Sequence, residues 1–145
     1  MKHKEFTDKY NQKYIDFDQN NSYQCVDLMR KYVKEVFNIP GYNSDLPALG
    51  NWGHAKDLFY KFPAKSKYFK KVYNTPVGVP PQGAIVFFKT SVLPKWLYGI
   101  DGHVAIVDSA TVMEMILFGQ NYPTKFPSSF RRFTYKDCLG WLIRI

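Results

Sequence analysis

Cysteine is scarce in this sequence: Cys25 and Cys138 are its only two. Two thiols in 145 residues exclude a disulfide framework and leave a single bridge, or a reactive thiol with a bystander. Histidine is nearly as scarce, so imidazole chemistry falls on His3, His54 or His103. No apolar run approaches the length of a membrane span. The N-terminal MKHKEFTDKYNQKY is charged and lacks an apolar signal core, so synthesis in the cytoplasm is expected, with any exit depending on other factors. No internal repeat, low-complexity tract or linker divides the chain, and residues 1–145 read as one domain around one core. Acidic residues are the minority charge: 12 against 20 basic ones leave +8, which favours polyanions such as nucleic acid, anionic lipid or wall polymer.

What the chain does have begins with an organising stretch, Asp16 to Arg30 (DFDQNNSYQCVDLMR). Asp16, Asp18, Asn20, Ser22 and Asp27 set hard oxygen ligands around a loop-to-helix junction, a donor type that suits Ca²⁺. Caps and turn formers have the same composition. From Cys25 the pattern turns helical, with Leu28, Met29, Tyr32, Val33, Val36 and Phe37 on one face. Cys25 then stands at a helix N-terminus, where the positive end of the dipole lowers a thiol pKa and favours a nucleophilic thiolate. A core cysteine fits the same periodicity.

Taken in order, residues 2–14 predict a short amphipathic helix, 25–37 a second that Pro40–Gly41 ends, and 52–62 a third. The lysines at 65, 67, 70 and 71 read as a solvated edge. Short apolar runs follow: Ala84–Lys89, His103–Asp108, Val112–Phe118, Arg131–Thr134 and Leu139–Ile145. Ser109–Ala110 is placed as the hairpin turn between the second and third of these. Helices first and strands after predict an α+β fold, with N-terminal helices packed on a small antiparallel sheet.

His103 opens a strand behind Gly102, where the sheet fixes an imidazole at the mouth of a cleft, as a general base requires. His3 is assigned to a mobile terminus and His54 to a helix start. The following strand ends in FGQNY, and the hairpin places Gln120 or Asn121 beside His103 as an orienting amide. Helix-borne Cys, strand-borne His and a following Asn repeat the layout of papain-like cysteine hydrolases. Gln24 and the Cys25 N–H are candidate oxyanion donors.

YQCVDLMR (23–30), PPQGAIVFF (80–88), GHVAIVD (102–108) and GQNY (119–122) together resemble the CHAP domain, the cysteine- and histidine-dependent amidohydrolase/peptidase family of phage endolysins and bacterial wall hydrolases. The resemblance implies a papain-like fold and a peptidoglycan hydrolase working through a cysteine thioester, with Cys25, His103, Asn121 and Gln24 as the catalytic set. It also implies calcium on Asp16, Asp18 and Asp27, with Asn20 and Ser22 contributing oxygens. Two positions depart from the pattern: Gly119 stands where many relatives carry Glu, and Ala84 where they carry Asp. Glu114 is a candidate stand-in for the missing acid. Trp52 and Trp96 are candidate groove residues. The expected partners are peptidoglycan and teichoic acid, with neither nucleic acid nor membrane, for a monomer acting on the wall after holin-dependent or virion-borne release. The alternatives are a catalytically impaired CHAP-like module, and a nucleic-acid binder that stacks bases on its aromatics.

Overall fold

The computed structural model describes residues 1–19, 24–50, 54–89, 102–121 and 126–145. Helical spacing of apolar side chains produces α1 (His3–Tyr10) and α2 (Cys25–Glu35). A shorter α3 (Ala55–Tyr60) lies within the predicted 52–62 segment. In α2, Leu28, Met29, Tyr32 and Val33 are each 0–1% exposed. Burial of a side chain of this size contributes about 1.5–3 kcal/mol. Arg30 is buried among them, and its guanidinium donates to the Gly41, Leu46 and Pro47 carbonyls at 2.8–2.9 Å. The same group lies 4.2 Å from the Tyr42 ring centroid. One side chain thus fastens the loop after α2.

Six strands form one antiparallel sheet: β1 (Phe69–Tyr73), β2 (Ile85–Phe88), β3 (His103–Ala110), β4 (Met115–Gly119), β5 (Ser129–Phe133) and β6 (Cys138–Arg144). Their spatial order is β1-β6-β2-β3-β4-β5, so the last strand of the chain lies inside the sheet. Alternation divides the side chains. Ile85, Phe87, Val104, Ile106 and Phe118 face the helices, while Val86, Phe88, Ala105, Val107, Leu117 and Trp141 line the other face. The fold is α+β, as the order of elements predicts.

Two local expectations are corrected, at the hairpin turn and at His3, and the lysine-rich edge gains a strand. β3 runs through Ser109 and Ala110, and the hairpin turns at 111–114. There Thr111 N donates to the Glu114 carbonyl, and Thr111 Oγ1 accepts from the N–H groups of Met113 and Glu114. The lysine-rich segment contains a strand, β1, which alternates a buried Phe69 with an exposed Lys70 at the sheet edge. His3 is held: its Nδ1 meets Tyr32 Oη and its Nε2 meets Asp108 Oδ1, each at 2.8 Å. Those contacts pin α1 across the end of β3. Among the described residues no helix is long and apolar enough to cross a membrane.

Candidate active site

The described β3–β4 pairing starts at Ile106↔Phe118, so the first residues of β3 precede it. The N-terminus of α2 enters here, and the Cys25 sulfur accepts the Val104 N–H, one residue from His103. Gly102, at φ +73°, delivers the chain into His103 and passes close to Lys56 at the start of α3. His103 is 3% exposed. Its ring is stacked on Phe133, with centroids 5.9 Å apart, and lies near Phe88 at 6.3 Å. Gly119 closes the other side: a Cβ built there would stand 3.3 Å from His103 Nε2 and 3.2 Å from Ala105 Cβ. Absence of a side chain at 119 lets β4 approach the imidazole.

The charge state differs from the expectation of a lowered thiol pKa. Burial pushes the Cys25 thiol up to about 11, outweighing the hydrogen bonds from the Val104, Val26 and Cys25 backbone that favour the thiolate. Burial also pushes His103 down to about 4. Both groups are therefore neutral at rest, and the helix terminus loses to desolvation.

The two candidate orienting amides separate. Gln120 is fully buried and turns toward α2, bonding Ile15 and the Gln24 carbonyl, not His103. Asn121 follows at φ +61°, its N–H donating to the Phe126 carbonyl. Glu114 is excluded as a stand-in acid: it pairs with Arg132 at 3.1 Å, at the opposite end of β4. His54 is the N-cap residue of α3, its N–H donating to Asp57. Cys138 shares the site's end of the sheet, one strand beyond Phe88. Burial holds its thiol up, at about 12.

Asp16, Asp18 and Asp27 converge, one ligand oxygen from each lying within 4.8 Å of the others. Asp27 is 2% exposed and accepts the Gln24 N–H at 2.9 Å. Burial first, then the neighbouring Asp18 and Asp16 charges, raise it to about 6 against the backbone bonds from Gln24 and Phe17. Asn20, Ser22, Trp52 and Trp96 lie outside the described residues. Sequence reading missed the roles of Gln120 and Arg30. A signal existed for each: alternation turns residue 120 away from Gly119, and Arg30 is a charge on an apolar helix face.

The chain resembles solved structures across nearly its whole length. The wild type endolysin LysIME-EF1 matches with a TM-score of 0.70 at 15% identity, over 99% of this chain and 64% of that one. Ly7917, solved with the hydrolyzing product of MDP, matches with a TM-score of 0.60 at 16% identity, over 83% of this chain and 53% of that one. This chain thus spans between just over half and just under two thirds of those proteins. No curated protein matches it. The family model described as the CHAP domain matches residues 16–121, from the first acid of the converging cluster to the amide after β4, and this chain belongs to the CHAP domain family.

Proposed function

We propose that this chain is a peptidoglycan hydrolase that cleaves an amide bond of the bacterial wall peptide through a Cys25 thioester. The observation that carries the reading is the placement of the Cys25 sulfur on the Val104 N–H, the residue next to His103. Because both groups rest neutral, attack and proton transfer are coupled: the sulfur adds to the carbonyl as its proton passes to the imidazole. His103 then gives that proton to the leaving amine. It next takes one from the water that opens the thioester and returns it to the sulfur. The Cys25 N–H and the Gln24 side chain serve the developing oxyanion, and Asn121 orients the imidazole.

The acidic cluster fits a hard divalent cation: all its donors are carboxylate oxygens and they already converge. Asp16, Asp18 and Asp27 would hold Ca²⁺, with Asn20 and Ser22 as further ligands. Bound there, the ion supplies charge neutralisation at the entry to α2. The protein's own contribution is Asp27, which links that cluster to the Gln24 N–H. Targeting follows charge. From Asp57 to Asp101 there is no intervening acid but seven lysines, a distribution that favours teichoic acid as the surface on which a monomer concentrates after release.

A catalytically impaired CHAP module is the second reading, favoured by Gly119, which brings no carboxylate to His103. Turbidity of purified walls separates the two. Lysis by the wild type, and none by folded Cys25→Ala or His103→Ala, is expected; unchanged walls with the wild type would establish the second reading. Mass spectrometry of the released fragments identifies the bond.

A further inference from the structure

Gln120 uses its whole amide. Nε2 donates to the Ile15 carbonyl at 2.8 Å and to the Gln24 carbonyl at 2.9 Å. Oε1 accepts from Ile15 N at 2.6 Å and lies 3.3 Å from Ser128 Oγ, whose single hydrogen has a nearer acceptor in the Lys13 carbonyl at 3.0 Å. Both donors of the amide and its oxygen are thus engaged at a residue with 0% exposure. The orientation is unambiguous, because Ile15 presents both its N–H and its carbonyl to the same side chain.

One of these bonds reaches the reacting centre through covalent geometry. The Gln24 carbonyl and the Cys25 N–H belong to one planar trans peptide, so they point in opposite directions along one plane. A hydrogen bond that fixes the carbonyl fixes the N–H. The same carbonyl also accepts Asp27 N at 3.1 Å, and the Gln24 N–H is held by the Asp27 carboxylate. The Cys25 and Val26 N–H groups both face the sulfur. We propose that Gln120 is a positioning residue for the reaction: by holding the Gln24 carbonyl it aims the Cys25 N–H at the oxyanion. Through Ile15, the residue before Asp16, the same amide ties that aim to the acidic cluster. This rests on the cysteine-hydrolase reading above.

The test compares two reactions of one sulfur, in a Cys138→Ser background so that Cys25 is the only thiol. Wall hydrolysis passes through an oxyanion; alkylation by iodoacetamide does not. Gln120→Met keeps the volume and removes every bond. It is expected to lower the hydrolytic turnover about ten- to a hundredfold, less than outright loss of an oxyanion donor. Alkylation should stay within about threefold of the wild type. Gln120→Glu, which keeps the acceptor for Ile15 N and loses both donors, should behave alike and serves where the methionine variant does not fold. Ser128→Ala, which leaves both donors in place, should retain wild-type hydrolysis. Equal loss of hydrolysis and alkylation would make Gln120 structural and overturn the proposal, as would full hydrolysis by a folded variant or failure of both variants to fold. Failure of the underlying reading shows separately, as a wild type that does not hydrolyse walls or a Cys25→Ala that does.

Discussion

The resting protonation of the candidate pair has a direct chemical readout. A thiol held at about 11 is ionised in about one molecule in ten thousand at pH 7. That is about a hundredfold less than an ordinary cysteine, and a preformed thiolate–imidazolium pair would be ionised throughout the neutral range. The iodoacetamide rate of Cys25 should therefore climb about tenfold per pH unit from pH 6 to 9 without a plateau. His103→Ala should leave the shape of that profile unchanged. The imidazole carries its own consequence. Its folded pKa of about 4 lies below the ordinary 6.5, so the unfolded chain takes up a proton that the folded chain refuses. Stability from this group is complete above pH 6.5 and is lost as pH falls toward 4, by about 3 kcal/mol. Urea unfolding at pH 7 and pH 4.5 should show the wild type losing more than His103→Leu by an amount of that order. A flat alkylation rate between pH 5 and 8 that His103→Ala abolishes would refute the reasoning and establish an ion pair at rest.

Calcium at a hundredfold excess over its Kd should stabilise the folded chain by about 2.7 kcal/mol. That corresponds to a rise in Tm of about 5–10 °C which EDTA reverses and Asp16→Ala/Asp18→Ala lacks; an unchanged wild-type Tm would leave the three acids as helix caps. Cys138→Ser should keep wall lysis near wild type, because that thiol is protonated and Phe88 stands between it and the imidazole; loss of lysis with an intact melt would assign it a role. Arg30→Met strands three carbonyls and should cost about 2–4 kcal/mol in urea unfolding. A cost below about 0.5 kcal/mol would show that the loop holds itself.

The elements readable in the sequence were those whose pattern is local. Helix α2 announces itself through a run of apolar residues at one face, and β3 through HVAIV between a glycine and a polar turn. The strand β1 was hidden because its lysines look like solvent, which is how sheet edges discourage further pairing. The hairpin turn slipped because Thr111 offers its hydroxyl to two backbone N–H groups, a local bond stronger than anything Ser109–Ala110 presents. Cys25 and His103 could be proposed as a pair from the order of their motifs. Their protonation could not, since it depends on how much chain closes over them from elsewhere. The pinning of His3 needs residues 29 and 105 positions away, a juxtaposition no window along the chain contains.

The place of β6 in the sheet has a consequence for how the protein is made. Residues 138–144 lie between β1 and β2, which precede them by fifty positions or more. Synthesis proceeds from the N-terminus at about 5–20 residues per second, so β1 and β2 emerge seconds before the strand that joins them. Until then β1 lacks its partner in the sheet, since among the described residues it pairs with β6 alone. Contacts this distant in sequence form slowly, because loop closure precedes any gain from them. The full sheet that buries His103 and seats Cys25 is completed last, and a chain cut short before residue 138 lacks the strand that closes it. The wall hydrolysis proposed for this site would stay latent in the nascent chain until residues 138–144 have emerged and joined the sheet.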